Sequence, residues 1–225
     1  MNLEHNLMNE NIIIQDLIDK AIANEPREDK KQTSWHASAL GRCLCGTYLE
    51  RLGVEPDEPF DARTLRVFSM GKQIERWVLD KIKETGAEVE EQVRVEDKEL
   101  NVSGYVDAVV NKIPIEIKSQ HSRSFWYMTK QGGANPTHVK QLWMYLYLLQ
   151  SDFGKLIYCS KDDLAIQEYI VRRDDIEVEN DVLAELEVLN FAWEKKLAPP
   201  PITDEKDWRY KYCRFHKKCL QTLNK

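Results

Sequence analysis

The chain has no apolar run near the ~18 residues that a membrane-crossing helix needs, so nothing in it reads as a helical span. It has no apolar segment behind a basic start either. "MNLEHNLMNENIIIQDLIDK" opens acidic and polar, which predicts no secretory leader and a cytoplasmic location. An even set of cysteines is missing: there are five, at 43, 45, 159, 213 and 219, which in a reducing compartment argues against a disulfide framework. An excess of positive charge is missing too. Lys and Arg number 32 against 38 Asp and Glu, a net charge of −6, whereas a protein that coats nucleic acid is usually basic. An enzyme with a carboxylate-lined metal site remains compatible with that balance. No internal repeat is visible.

What is present is 225 residues with 42% hydrophobic and 31% charged content. That length supports one substantial core burying roughly 70% of the unfolded surface. Residues 1–33 read as an amphipathic helical candidate, "IIIQDLIDKAIAN", followed by a polar linker, "EPREDKKQT". "SALGRCLCGTYLERLG" (38–53) reads as one helix from a Ser38 cap to a Gly53 stop. A long helix over 63–86 places Ile74, Val78 and Ile82 at helical spacing. The period then changes to two, and 87–119 reads as three strands. A helix (136–150), two strands ("FGKLIYCS", "LAIQEYIVRR") and a long helix (174–197) complete a core over 34–200. The order α, βββ, α, ββ, α predicts an α/β fold with a mixed central sheet flanked by helices. Residues 201–225 form a basic, cysteine-containing tail.

The chemistry concentrates in "SGYVDAVVNKIPIEIKSQ" (103–120). With Asn111–Lys112 as a two-residue turn, counting outward opposes Val110 to Ile113, Ala108 to Ile115 and Asp107 to Glu116. Side chains alternate, so Glu116 and Lys118 share a face with Asp107, while Ile113, Ile115 and Ile117 point to the core with Val106, Ala108 and Val110. Opposed carboxylates repel. A divalent cation such as Mg²⁺ or Mn²⁺ reverses that sign, and a neighbouring lysine can orient or deprotonate a water. An exposed hairpin face with a cross-strand salt bridge would contain the same residues. Pro114 lacks a ladder donor and fits the start of a strand, or a longer turn, better than a strand centre.

"GYVDAVV…IPIEIKS" resembles the core motif of the PD-(D/E)XK nuclease superfamily, in the RecB-like exonuclease branch that includes CRISPR-associated adaptation nucleases. The resemblance implies a restriction-endonuclease-like sheet and a metal ligand four residues after a glycine on a preceding helix; "MGKQIERW" supplies Gly71 and Glu75. It also implies a Gln-x-x-x-Tyr pair after the lysine strand, met by Gln141 and Tyr145 in "VKQLWMYLY", with contacts to the lysine region and to DNA. The implied catalytic set is Glu75, Asp107, Glu116, Lys118, Gln141 and Tyr145, with Glu75, Asp107 and Glu116 on Mg²⁺ or Mn²⁺. The implied activity is a DNA nuclease, by branch an exonuclease on single-stranded ends. It would serve recombination, repair, replication or foreign-DNA processing, with a helicase or integrase partner and a ring oligomer as open options. A DNA-binding module without catalysis, or a site- or structure-specific endonuclease, are the alternatives.

Iron–sulfur members of the branch join one cysteine before the core to three near the C-terminus, stapling the ends together. Here Cys43, Cys213 and Cys219 fit, but Tyr210 stands at the remaining cysteine position. Cys45 could complete a set of Cys43, Cys45, Cys213 and Cys219, packing the tail on 38–53. A [4Fe–4S] cluster, a tetrahedral Zn²⁺ (His216 being a further zinc candidate) and unligated thiols all remain open. Cys159 reads as a small core residue. "KSQHSRSFWYMTKQGG" (118–133) reads as a mobile basic and aromatic loop suited to a single strand. Arg123, Trp126 and Lys130 are its candidate DNA contacts, although Trp126 could equally pack inside, and Arg42, outside it, is a further candidate phosphate contact. Tail residues such as Arg209 and Arg214 would extend the phosphate track.

Overall fold

The computed structural model of the chain describes residues 13–25 and 32–224. The start of the chain and most of the expected linker lie outside them. The elements are α1 (Ile14–Ala23), β1 (Trp35–His36), α2 (Leu44–Arg51), α3 (Ala62–Glu84), β2 (Val89–Asp97), β3 (Val102–Val110), β4 (Ile113–Gln120), α4 (Ser122–Gln131), α5 (Pro136–Leu149), β5 (Phe153–Ser160), β6 (Ile166–Arg172), α6 (Ile176–Lys195), α7 (Trp208–Tyr212) and α8 (His216–Gln221). Local chemistry sets their ends. Asp61 starts α3 by accepting the Thr64 N–H at 2.7 Å. Asn135 does the same for α5 ahead of Pro136.

Two expected elements change. The single helix over 38–53 is a short 3₁₀ turn at 37–39, a bend, and α2 from Leu44 only. The bend sits at Gly41, φ +78, where a Cβ would lie 2.8 Å from Thr137 Cγ2, so α5 packs too closely for a side chain. The expected loop at 118–133 is largely α4. His121 caps it, its Nδ1 accepting the Arg123 N–H at 3.2 Å, and Phe125 and Met128 bury one face three residues apart.

The mixed six-stranded sheet runs β1-β3-β4-β5-β6, with β2 also on β3. The hairpin register is the expected one: Val110 pairs Ile113, Val109 pairs Pro114, and Ala108 pairs Ile115. Asn111 and Lys112 carry the positive φ values, 47 and 69, that a tight two-residue turn requires. Pro114 causes no defect because the β4–β5 ladder begins one residue later, at Ile115. Beyond Ala108 the pairing stops. β2 takes one edge of β3 throughout, so the other edge passes from β4 to β1, which pairs at Val102 and Ser103. Asp107 lies in that gap. The β2–β3 ladder also skips Gln92 opposite Asp107, and Gln92 has φ +51.

The core divides on either side of this gap. On the α3 side, Ile74, Val78 and Leu79 pack on Ala108, Ile115, Ile117, Ile157 and the buried Cys159. Val106, expected on that face, belongs instead with Val102, Leu142 and Tyr145 on the α5 side. Each fully buried aliphatic side chain contributes about 1.5–3 kcal/mol. Arg51 joins α2 to the rest: its guanidinium lies 4.1 Å from both the Trp35 and Trp193 ring centroids. Its Nη2 donates to Thr33 O and Asn101 Oδ1, while Nε and Nη1 have no N or O partner. Arg51→Ala should therefore destabilise the protein by about 3 kcal/mol, read as a lower denaturant midpoint with an unchanged slope. A loss under about 0.5 kcal/mol would show that the indoles contribute nothing there.

Candidate active site

Four elements bring the expected residues together. β4 alternates, so Glu116 and Lys118 leave the isoleucine face. Glu116 is only 1% exposed. Its Oε1 accepts from Lys118 Nζ at 2.5 Å and from Gln141 Nε2 at 2.7 Å, and Gln141 Nε2 also donates to Tyr145 Oη at 3.1 Å. The pair on α5, four residues apart on one face, thus reaches the β4 carboxylate directly. Gly104 makes room: a Cβ there would lie 2.6 Å from Tyr145 Cε1.

Asp107 is not simply opposed to Glu116. Its Oδ2 accepts the Ile117 backbone N–H at 2.7 Å, filling the gap where β3 and β4 part. Glu75, on α3, accepts from Gln92 Nε2 at 3.1 Å and shares with Asp107 a cleft also lined by Lys72, Glu91 and Gln92. Burial, and then the Asp107 charge, raise Glu75 to about 7. Burial and then Asp107 hold Glu116 at about 8, against the pull of Lys118. Burial raises Asp107 as well. These carboxyls therefore resist losing their protons together. Glu116 Oε2 is buried with no hydrogen-bond partner. An orphaned carboxylate oxygen beside two further carboxylates fits a divalent cation.

A second group forms where the ends of the chain meet. Sγ atoms of Cys43, Cys213 and Cys219 lie within 4.8 Å of one another, the only such three-ligand set among the described residues; the carboxylate oxygens are spaced more widely. Cys45 adjoins Cys219 and has Thr222 Oγ1 4.0 Å from its sulfur. Cys43 ionises most easily, its thiolate accepting from Cys213 and then Cys219. His216 turns away to Asp57, and its ring packs on Tyr210. Three thiols with a fourth adjacent fit a soft or borderline metal. Gly46 permits this packing, since a Cβ there would lie 2.8 Å from Cys213 Sγ. If these thiols take up iron or zinc, Gly46→Ala should weaken that binding at least about tenfold in a chelator competition; unchanged affinity would remove this packing as a requirement.

Neither a protein-family model nor a curated protein matches the sequence. Solved structures do match. SSO0001 superposes with a TM-score of 0.62 at 20% identity, over 92% of this chain and 96% of its own. An alkaline exonuclease from Laribacter hongkongensis (LHK-Exo) gives 0.53 at 21%, over 74% of this chain and 94% of its own. The same exonuclease in complex with dAMP gives 0.55 at 21%, over 74% and 92%. The chain has a restriction-endonuclease-like fold, a mixed six-stranded sheet flanked by helices.

On this fold, Lys118 faces a cavity of about 570 Å³ that also meets Arg42, His138, Gln141, Arg209 and Cys43. His138 escaped the sequence reading. Its Nδ1 lies 2.9 Å from Tyr158 Oη, which also accepts the Asn135 N–H. Burial, then the Lys118 and Arg42 charges, push His138 down to about 3, so it stays neutral. Its position three residues before Gln141 was the available signal. A second cavity, of about 1010 Å³, continues past Asn135 and Thr137 to Arg123 and Tyr127 of α4. Trp126 and Lys130 line neither cavity, although both are exposed.

Proposed function

We propose that this chain is a divalent-metal-dependent DNA nuclease, working as an exonuclease on strand ends. The observation that carries the proposal is the junction of Glu116 with Lys118 and Gln141 on one side and with the Asp107 and Glu75 carboxylates on the other. Glu75, Asp107 and Glu116 would hold Mg²⁺ or Mn²⁺, which when bound would polarise the phosphate oxygens and lower the pKa of water. Gln141 and Glu116 fix the Lys118 ammonium between the carboxylates and the cation-lined cavity. From there it can donate to a phosphate oxygen or orient the attacking water. The fold alone does not impose this chemistry; the orphaned Glu116 Oε2 supports it. We assign the thiol group to a [4Fe–4S] cluster or Zn²⁺ that holds the C-terminal segment against α2, apart from the chemistry.

The test uses the purified full chain on linear and covalently closed DNA, single- and double-stranded, with Mg²⁺, Mn²⁺ or EDTA. Nucleotide release from linear DNA only, abolished by EDTA, is expected. Metal-dependent cutting of closed circles would replace the exonuclease with an endonuclease. No cleavage under any condition would leave a binding module.

A further inference from the structure

The cavity beside Lys118 carries aromatic side chains that the proposed chemistry does not use. α7 presents Trp208 and Tyr212, four residues apart and so on one helix face, 49% and 79% exposed. Trp208 lines both cavities and Tyr212 the first. Tyr127 of α4, 67% exposed, lines the second. Exposed aromatics gathered in one cleft, unlike ones scattered singly, mark a surface that something covers. The charge of this cleft indicates what covers it. Seven Lys and Arg side chains line the two cavities against three carboxylates, on a protein whose net charge is −6. A polyanion with flat, stackable faces satisfies both features.

α7 is also held rather than loose. Asp207 caps its start and chelates Arg209 through Nε and Nη2. Cys213, of the thiol group, ends it. Aromatic side chains on a capped helix turn have only two torsions each to order when a base stacks on them.

We propose that Trp208 and Tyr212, with Tyr127 farther along, form a base-stacking platform for a single DNA strand entering toward Lys118. Unpaired bases expose the faces that stacking needs, whereas a duplex hides them. This rests on the nuclease reading for the direction of the strand, but not for its grip.

The experiment measures fluorescence anisotropy of labelled oligo-dT with the full chain in EDTA, so that binding is read without cleavage. Cleavage with metal is measured separately. Trp208→Ala/Tyr212→Ala should weaken oligo-dT binding about tenfold to a hundredfold. Trp208→Phe should restore most of it, and the salt dependence should keep its slope because no phosphate contact is lost. Phe191→Ala, an exposed aromatic on α6 outside the cleft, should bind as the parent does, and circular dichroism should show every variant folded. Parental binding by the double variant overturns the platform, as does equal affinity for blunt duplex DNA. Tighter binding of oligo-U than oligo-dT overturns the assignment to DNA. If the chain cleaves nothing yet binding follows these expectations, only the nuclease reading fails.

Discussion

Lys118→Ala is expected to lower metal-dependent nucleotide release by about 10²–10⁴-fold while leaving the fold intact. The lysine is partly exposed toward the cavity, and its removal leaves Glu116 still bonded to Gln141. Asp107→Ala should cost at least as much, because it takes a carboxylate from the proposed metal group and the acceptor from Ile117 N–H. The two substitutions should differ in metal response. Raising Mn²⁺ should recover part of the activity of Asp107→Ala, where affinity is reduced, and none of Lys118→Ala, where the missing group is not a ligand. Cleavage that survives both substitutions would place the chemistry elsewhere on the molecule.

The second large effect is on stability. In EDTA, the Glu75 and Glu116 carboxyls should cost the folded protein stability as pH rises from about 4.5 to about 8; up to about 6.5 His138, held neutral, offsets part of this, so the net fall is steepest above that pH. The sign follows from the carboxyls. The unfolded chain releases the Glu75 and Glu116 protons near the ordinary 4.5, whereas the folded chain holds them to about 7 and about 8. Between those values the folded state binds more protons, so raising the pH favours unfolding; below 4.5 the two states are alike in these groups. Glu116, almost fully buried, carries most of this, on the order of 3–5 kcal/mol. That corresponds to roughly 10 °C in a melt of a chain of this size. Glu116→Gln should flatten the profile and raise the melting temperature of the metal-free protein at alkaline pH. Mg²⁺ or Mn²⁺ should stabilise the parent more near pH 8 than near pH 5, because protons and cations compete for the same oxygens. Parallel profiles for parent and Glu116→Gln, with no response to either cation, would show that the carboxyls neither repel one another nor hold metal.

Much of the architecture was readable from local rules. Period-two alternation located β2, β3 and β4, and helical spacing located α3, α5 and α6 within a few residues. The Asn111–Lys112 turn fixed the register, and so the shared face of Glu116 and Lys118, because side-chain alternation leaves no freedom once a turn is set. Helix α4 was obscured because its two buried anchors, Phe125 and Met128, stand among exposed aromatic and basic residues. The bend at Gly41 was obscured because its cause, Thr137, is far away in sequence.

The sequence by itself determined the strand pattern, the hairpin and the shared face of Glu116 and Lys118, since these depend on neighbours a few residues apart; Glu75, Gln141 and Tyr145 came from the family resemblance. Only the tertiary structure decided how they meet. It split the edge of β3 between β4 and β1, which turned Asp107 onto Ile117 N–H. It buried Glu116 against Gln141 with one oxygen left unpaired. It brought Cys43 to Cys213 and Cys219, and placed His138 and the α7 aromatics around the Lys118 cavity. Those outcomes depend on contacts between residues ten to more than a hundred positions apart, which periodicity and turn chemistry do not encode.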